Sequence, residues 1–276
     1  MVNFNGLLVS SKENSLANNR GFLFGDGVFE TLKIKENTIL FLEDHYFRLM
    51  AAMRIVRMEI PMNFTMEYLE EQILLVVKAN NCGDSSRVRI TVYRNDGGLY
   101  LPETNSIRFI IQAISLQSKY YSINNDTYEV DLYKDFYISK QLISTLKTTN
   151  KMISIIGSIF AKENGLQNCL VLNEEKNVVE ALQGNVFMLM GKTLVTPPIS
   201  DGCLNGIMRK NILLIANKIE AIEVLEKSIS PFDLQKADEL FITNVITGIQ
   251  PITHYRKKNY SRELASLLVE KINAMI

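Results

Sequence analysis

The chain has 276 residues, with 30 Lys+Arg against 30 Asp+Glu and a formal net charge of zero. That balance excludes the basic footprint of a nucleic-acid binder, and 47% hydrophobic with 22% charged residues excludes a disordered or fibrous chain. The length suits one large or two medium domains, each with an ample core.

In chain order, Asn19 to Gly27 interleaves Gly21, Gly25 and Gly27 with Phe22 and Phe24, which predicts a tight turn anchored by its rings. A strand over 28–33 follows, then a Glu36-Asn37 turn and a returning strand over 38–42. Phe47, Met50, Met53 and Val56 at helical spacing predict a helix from Asp44, with Arg48 near its start. A second amphipathic helix covers 66–80, with Leu69, Ile73, Leu74 and Val77 on one side. Strands over 87–93 and 106–113 flank Arg94 to Pro102, which reads either as a plain hairpin connection or as a substrate loop. The polar, irregular stretch 115–125 reads as a linker, so domains of 1–118 and 119–276 are expected.

The second half opens with a strand near 127–132. Thr145-Leu146-Lys147-Thr148-Thr149-Asn150 is a short polar knot holding one lysine, placed before a helix over 152–162. Strands then follow over 168–172, 178–182, 185–190 and 193–196, with turns at 174–176 and 191–192. Pro197-Pro198 stops the run, and 201–206 leads into a helix over 207–219. A strand over 240–244 and a helix over 261–275 close the chain. Cys82, Cys169 and Cys203 are scattered and odd in number, which points to a reducing cytoplasm rather than a disulfide framework. Met1 to Gly6 carries no signal-peptide pattern, and no apolar run is long enough to cross a bilayer. His45 and His254 lie far apart without metal-ligand company, so no metal site is expected.

Four features point to one chemistry. Lys147 is the side-chain type that condenses with a carbonyl to give a Schiff base. Glu180 ends an apolar strand (Val178-Val179-Glu180), a costly place for an acid unless it meets a positive partner such as a protonated pyridine nitrogen. Asn205-Gly206-Ile207-Met208-Arg209 sets a glycine before a helix, whose free N–H groups suit a phosphate. Arg48 supplies a guanidinium that can clamp phosphate. Each has a bland alternative: a solvated or capping lysine, a hairpin-end acid, a loop-to-helix glycine, a snorkelling arginine. Together they match the demands of pyridoxal 5′-phosphate (PLP).

The joint pattern resembles a known family. Arg20-Gly21, Phe24-Gly25-Asp26-Gly27-Val28-Phe29-Glu30-Thr31, Lys147 with Asn150, Glu180 with Asn185, Thr196-Pro197-Pro198, Asn205 to Arg209, and Asp238 to Asn244 with Pro251 follow in one order. This is similar to the class IV (fold type IV) PLP enzymes: branched-chain aminotransferase, D-amino-acid aminotransferase and aminodeoxychorismate lyase. The resemblance implies a two-domain α/β (α+β) fold, a small α/β sandwich domain and a larger β-barrel-like domain, usually in a homodimer with the cofactor between domains. It implies Lys147 as the Schiff-base lysine and proton shuttle, and Glu180 as partner of the pyridine nitrogen. Arg48 and the backbone of Ile207 and Met208 are implied as phosphate ligands. The family often has Ser or Thr where this chain has Val245, so Asn244 is the expected substitute contact. Phe29, Arg94 and Tyr100 are the candidate substrate residues, with Arg94 as a carboxylate clamp. Within the family, Thr31-Leu32 departs from the branched-chain pattern. The run Arg94 to Tyr100 resembles the lyase loop, except for Asn95 and a shortened Gly-Tyr portion, and Leu204 to Arg209 also looks lyase-like. The expectation is therefore a cytoplasmic 4-amino-4-deoxychorismate lyase acting on a small amino-acid-like molecule, with a D-amino-acid or branched-chain aminotransferase as the rival and a non-catalytic cofactor-binding protein as a remote alternative.

Overall fold

A hairpin the residue pattern does not predict opens the chain: β1 (Val2–Phe4) and β2 (Leu7–Val9) turn at Asn5-Gly6, both at positive φ (52° and 88°). The computed structural model describes residues 1–9 and 18–276. These form two compact units, Met1–Tyr120 with Lys147–Asn150, and Tyr121–Leu146 with Lys151–Ile276. The segment that carries Lys147 therefore packs with the first unit, not with the second domain as expected.

In the first unit, α1 (Arg20–Phe24) replaces the expected turn. Asn19 accepts the Phe22 N–H at 2.9 Å, and Gly25, at φ 64°, ends the helix in the left-handed region. β3 (Gly27–Lys35), β4 (Thr38–Ile39), α2 (Leu42–Ile55), α3 (Met66–Ala79), β5 (Ser85–Arg94) and β6 (Ile107–Ser115) follow. They build one sheet in the order β2-β1-β6-β5-β3-β4, with α2 packed on β3 and α3 on β6. Strand alternation turns Val28, Glu30, Leu32 and Ile34 to the side that meets α2, and Phe29, Thr31 and Lys33 to the other. α2 starts two residues before its predicted start, and His45, Leu49, Ala52 and Met53 form its buried stripe while Phe47 is exposed. Thr65 caps α3 by accepting the Tyr68 N–H.

The second unit comprises β7 (Glu129–Ile138), α4 (Met152–Glu163), β8 (Asn168–Asn173), β9 (Val178–Ala181), β10 (Gly184–Met190), β11 (Thr193–Thr196), α5 (Ile207–Ala216), β12 (Glu223–Glu226), β13 (Glu239–Asn244), β14 (Gly248–Pro251), β15 (His254–Tyr255), β16 (Lys258–Asn259) and α6 (Glu263–Asn273). The strand path is β12-β11-β10-β9-β8-β7-β15-β16, and β13 adds to β10. β10 is the branch point. It pairs with β13 along 185–189, with β9 at 184–185 and with β11 at 188–190. Side chains of β7 to β11, β13 and β15 meet in one core that includes Val130, Leu170, Val178, Val186 and Leu240. Glu239 is buried in β13 and accepts the Leu264 and Ala265 N–H groups at 2.7 and 3.0 Å, so its carboxylate caps α6.

Candidate active site

The lysine is fixed through its backbone. Lys147 to Thr149 lie antiparallel to the start of β3: Phe29 N–H donates to the Lys147 carbonyl at 2.8 Å, and Thr149 N–H to the Gly27 carbonyl at 2.9 Å. Thr149 Oγ1 and Asn150 Nδ2 both donate to the Gly25 carbonyl, at 2.8 and 3.4 Å. Gly25 is required there, because a Cβ would stand 2.4 Å from Asn150 Oδ1 at a left-handed φ. This rung leaves Lys147 Nζ 4.7 Å from the centre of the Phe29 ring, which also carries the Arg89 guanidinium at 3.7 Å.

On the α2 side of β3, Glu30 is 1% exposed and joins two helix residues. Arg48 donates Nε to Oε1 at 2.7 Å and Nη2 to Oε2 at 2.6 Å, and His45 Nδ1 lies 2.7 Å from Oε2. Burial works to raise the Glu30 pKa, but the Arg48 charge and the His45 hydrogen bond outweigh it and bring it down to about 2. Burial lowers the pKa of His45. Glu30 opposes this shift, while the charges of Arg48 and Lys147 reinforce it. A neutral His45 that donates from Nδ1 follows, since a carboxylate only accepts.

In the second unit, β9 and β10 pair Glu180 with Asn185. Leu204 N–H donates to Glu180 Oε2 at 2.9 Å, and Asn185 Nδ2 donates to the Leu204 carbonyl at 2.7 Å. The two side chains thus hold the turn that feeds α5. Gly206 is the N-cap of α5, with no side chain capping it, so the first N–H groups, Ile207 and Met208 among them, present the positive helix end. A Cβ on Gly206 would stand 2.0 Å from Asn185 Oδ1, which excludes every other residue type without rearrangement.

A family model described as amino-transferase class IV matches residues 27–255. The chain belongs to that family. A Methanocaldococcus jannaschii protein provisionally named a branched-chain-amino-acid aminotransferase is 28% identical over 252 residues, 91% of this chain and 86% of that one. The D-alanine aminotransferase of Listeria monocytogenes is 28% identical over 241 residues, 85% and 80% of the two chains. The crystal structure of the Thermoproteus uzoniensis branched-chain aminotransferase with norvaline superposes at a TM-score of 0.88 and 26% identity, covering 98% of this chain and 92% of that one.

As a class IV enzyme, the chain takes PLP as cofactor. Its donor set fits that group: an amine on a pinned rung, a carboxylate held by one backbone N–H, an uncapped helix N-terminus and an anchored guanidinium. Three of the expected contact residues have the following surroundings in the structure. Arg94 is only 7% exposed and is spent on the protein itself: it donates to Asp26, to the Val56 and Arg57 carbonyls and to Asn105 Oδ1. Asn244 uses Oδ1 to accept the Ile246 and Thr247 N–H groups at 3.0 and 2.9 Å, and Nδ2 to donate to the Gln183 carbonyl. These bonds shape its own turn. Tyr100 is 92% exposed beside Phe24, so it encloses nothing within its own chain.

The residue pattern also missed a polar cluster. Arg20 is 3% exposed, pairs with Asp26 at 3.0 Å, and donates Nη1 to the carbonyls of Gly97, Gly98 and Leu99. Asp26 thereby joins both buried arginines and shapes the loop that bears Tyr100. Glu30 and His45 were missed as well. A usable signal existed: Glu30 is an acid inside an apolar strand, and His45 and Arg48 stand three apart on one helix face. Among the described residues no cluster of His, Cys, Asp or Glu could hold a metal, and no helix is long and apolar enough to cross a membrane.

Proposed function

We propose that the chain is a PLP-dependent aminotransferase that moves the amino group of a small amino acid to a keto acid. The observation that carries this reading is the rung that pins Lys147 beside Phe29, in a chain of the class IV family. The named aminotransferase relatives, similar over most of the chain, support it.

When bound, PLP supplies an electron-withdrawing ring that takes up the electron pair released at the substrate α-carbon. Lys147 would hold the cofactor through Nζ, and its amine would carry the substrate α-proton. Glu180, its Oε2 oriented by the Leu204 N–H, would pair with the pyridine nitrogen and favour its protonated form. Arg48 and the Ile207 and Met208 N–H groups would hold the phosphate. Phe29, its ring 4.7 Å from Lys147 Nζ, would border the reacting end of the substrate. We further propose that the enzyme works as a homodimer, as the family resemblance implies, and that it is cytoplasmic.

A second reading, 4-amino-4-deoxychorismate lyase forming 4-aminobenzoate and pyruvate, draws on the Leu204 to Arg209 run, where aminotransferases more often have Thr at the position of Met208. The intrachain bonds of Arg94 weigh against its use as a carboxylate clamp in that reading. The test is a panel of L- and D-amino acids with 2-oxoglutarate or pyruvate as acceptor, set against aminodeoxychorismate alone. Amino transfer that requires an acceptor supports the aminotransferase. Pyruvate released from aminodeoxychorismate without an acceptor, and no transfer in the panel, overturns it in favour of the lyase.

A further inference from the structure

We propose that Glu30 and His45 are positioning residues, which hold the Arg48 guanidinium edge-on so that it meets the cofactor phosphate. The inference rests on the reading of Arg48 as a phosphate ligand. Its geometry is a fork: Nε to Oε1 at 2.7 Å and Nη2 to Oε2 at 2.6 Å fix the guanidinium plane from one edge. The fork engages two of the five guanidinium N–H groups. His45, 1% exposed, sets the carboxylate in turn through Nδ1 at 2.7 Å, and its Nε2 has no hydrogen-bond partner among the described residues. The three groups come from two elements in fixed register: Glu30 from β3, and His45 and Arg48 three apart on α2. A buried ion pair of this kind is weak evidence for stability, since desolvation offsets much of its attraction. Orientation of a flexible arginine is a use that justifies the cost.

The proposal predicts a sign that charge alone does not. Removing the Glu30 charge near a bound phosphate would, by Coulomb's law, tighten anion binding. Loss of positioning weakens it. The experiment titrates the cofactor-free full-length protein with PLP and with pyridoxal, which lacks the phosphate, and follows absorbance and fluorescence. Arg48→Ala is expected to weaken PLP by about ten- to a hundredfold and to leave pyridoxal unchanged. Glu30→Gln is expected to weaken PLP about tenfold, to leave pyridoxal unchanged, and to add nothing in the Arg48→Ala background. His45→Asn, which keeps a donor near Nδ1, is expected to stay within about threefold of the wild type, whereas His45→Leu loses about tenfold. This pair keeps the proposal testable if Glu30→Gln does not fold. Tighter PLP binding in Glu30→Gln, equal losses for PLP and pyridoxal, losses additive with Arg48→Ala, or equal effects of the two His45 variants would each overturn the inference. If Arg48→Ala affects PLP and pyridoxal alike, the phosphate reading of Arg48 falls first, and the inference with it.

Discussion

Arg94 separates a structural arginine from a substrate-binding one, and the two roles predict different losses. Its guanidinium donates to Asp26 at 3.0 Å, to the Val56 carbonyl at 2.8 Å, to the Arg57 carbonyl at 3.1 Å and to Asn105 Oδ1 at 2.6 Å. Arg94→Ala strips all four acceptors of a donor and leaves Asp26 with Arg20 as its other arginine. Breaking one side of a buried pair costs about 3–5 kcal/mol. Against a total stability of roughly 5–15 kcal/mol, that is a large fraction. At about 2–4 °C per kcal/mol for a chain of this size class, the unfolding midpoint should fall by on the order of 10 °C. Arg94→Lys should recover only part of this, because an ammonium does not span four acceptors in one plane. The assay is thermal unfolding of the purified variants by circular dichroism, paired with KM for the amino substrate measured well below the midpoint. KM within about threefold of the wild type is expected, far less than the loss of a charge-assisted contact would cause. An unchanged midpoint together with a KM raised tenfold or more would refute the structural assignment and restore Arg94 as a substrate clamp.

Other expectations follow from the same geometry. Lys147→Ala should lower kcat by at least about 10²–10⁴-fold, the usual worth of a positioned proton carrier, with little change in the unfolding midpoint; full activity in that variant would remove Lys147 from the mechanism. Gly206→Ala places a Cβ 2.0 Å from Asn185 Oδ1, so overpacking of about 1–3 kcal/mol and weaker PLP retention should appear in denaturation and dialysis, and unaltered retention would contradict the role of the α5 N-terminus. Glu30 has a folded pKa near 2 against 4.5 unfolded, so its contribution, on the order of 3 kcal/mol, is present above pH 4.5 and lost as pH falls towards 2. Glu30→Gln should flatten the stability curve across that window, and a curve of wild-type slope would contradict the pairing. Burial lowers Lys33 from 10.5 to about 8, so the unfolded chain binds the extra proton between those values and stability should rise with pH there. Lys33→Met should raise the midpoint at pH 7 and lose that advantage above pH 10; a lower midpoint at pH 7 would contradict the burial cost.

Much of the site was legible because its residues carry chemistry that the surrounding sequence does not explain. Glu180 in an apolar strand, Gly206 before a helix and Lys147 in a polar knot were visible as single positions, and the structure gives each a fixed backbone setting. The long helices and strands were legible from their periods. The β1–β2 hairpin was not, although its Asn5-Gly6 turn was a readable signal, because its strands are only three residues long. The intrachain partners of Arg94 and Asn244 were not legible for one reason: they depend on tertiary neighbours such as Val56, Asn105 and Gln183 that no local pattern reveals. The pairing of Lys147 with β3 joins residues more than a hundred positions apart, and that long-range register moved the lysine into the first unit.

The most direct test of the account is an absorbance spectrum of the purified protein, followed by borohydride reduction and peptide mapping. A visible band that reduction removes is expected, with the cofactor mass fixed on the peptide containing Lys147. A colourless protein that takes up no PLP on reconstitution, or a label on any other lysine, would contradict it.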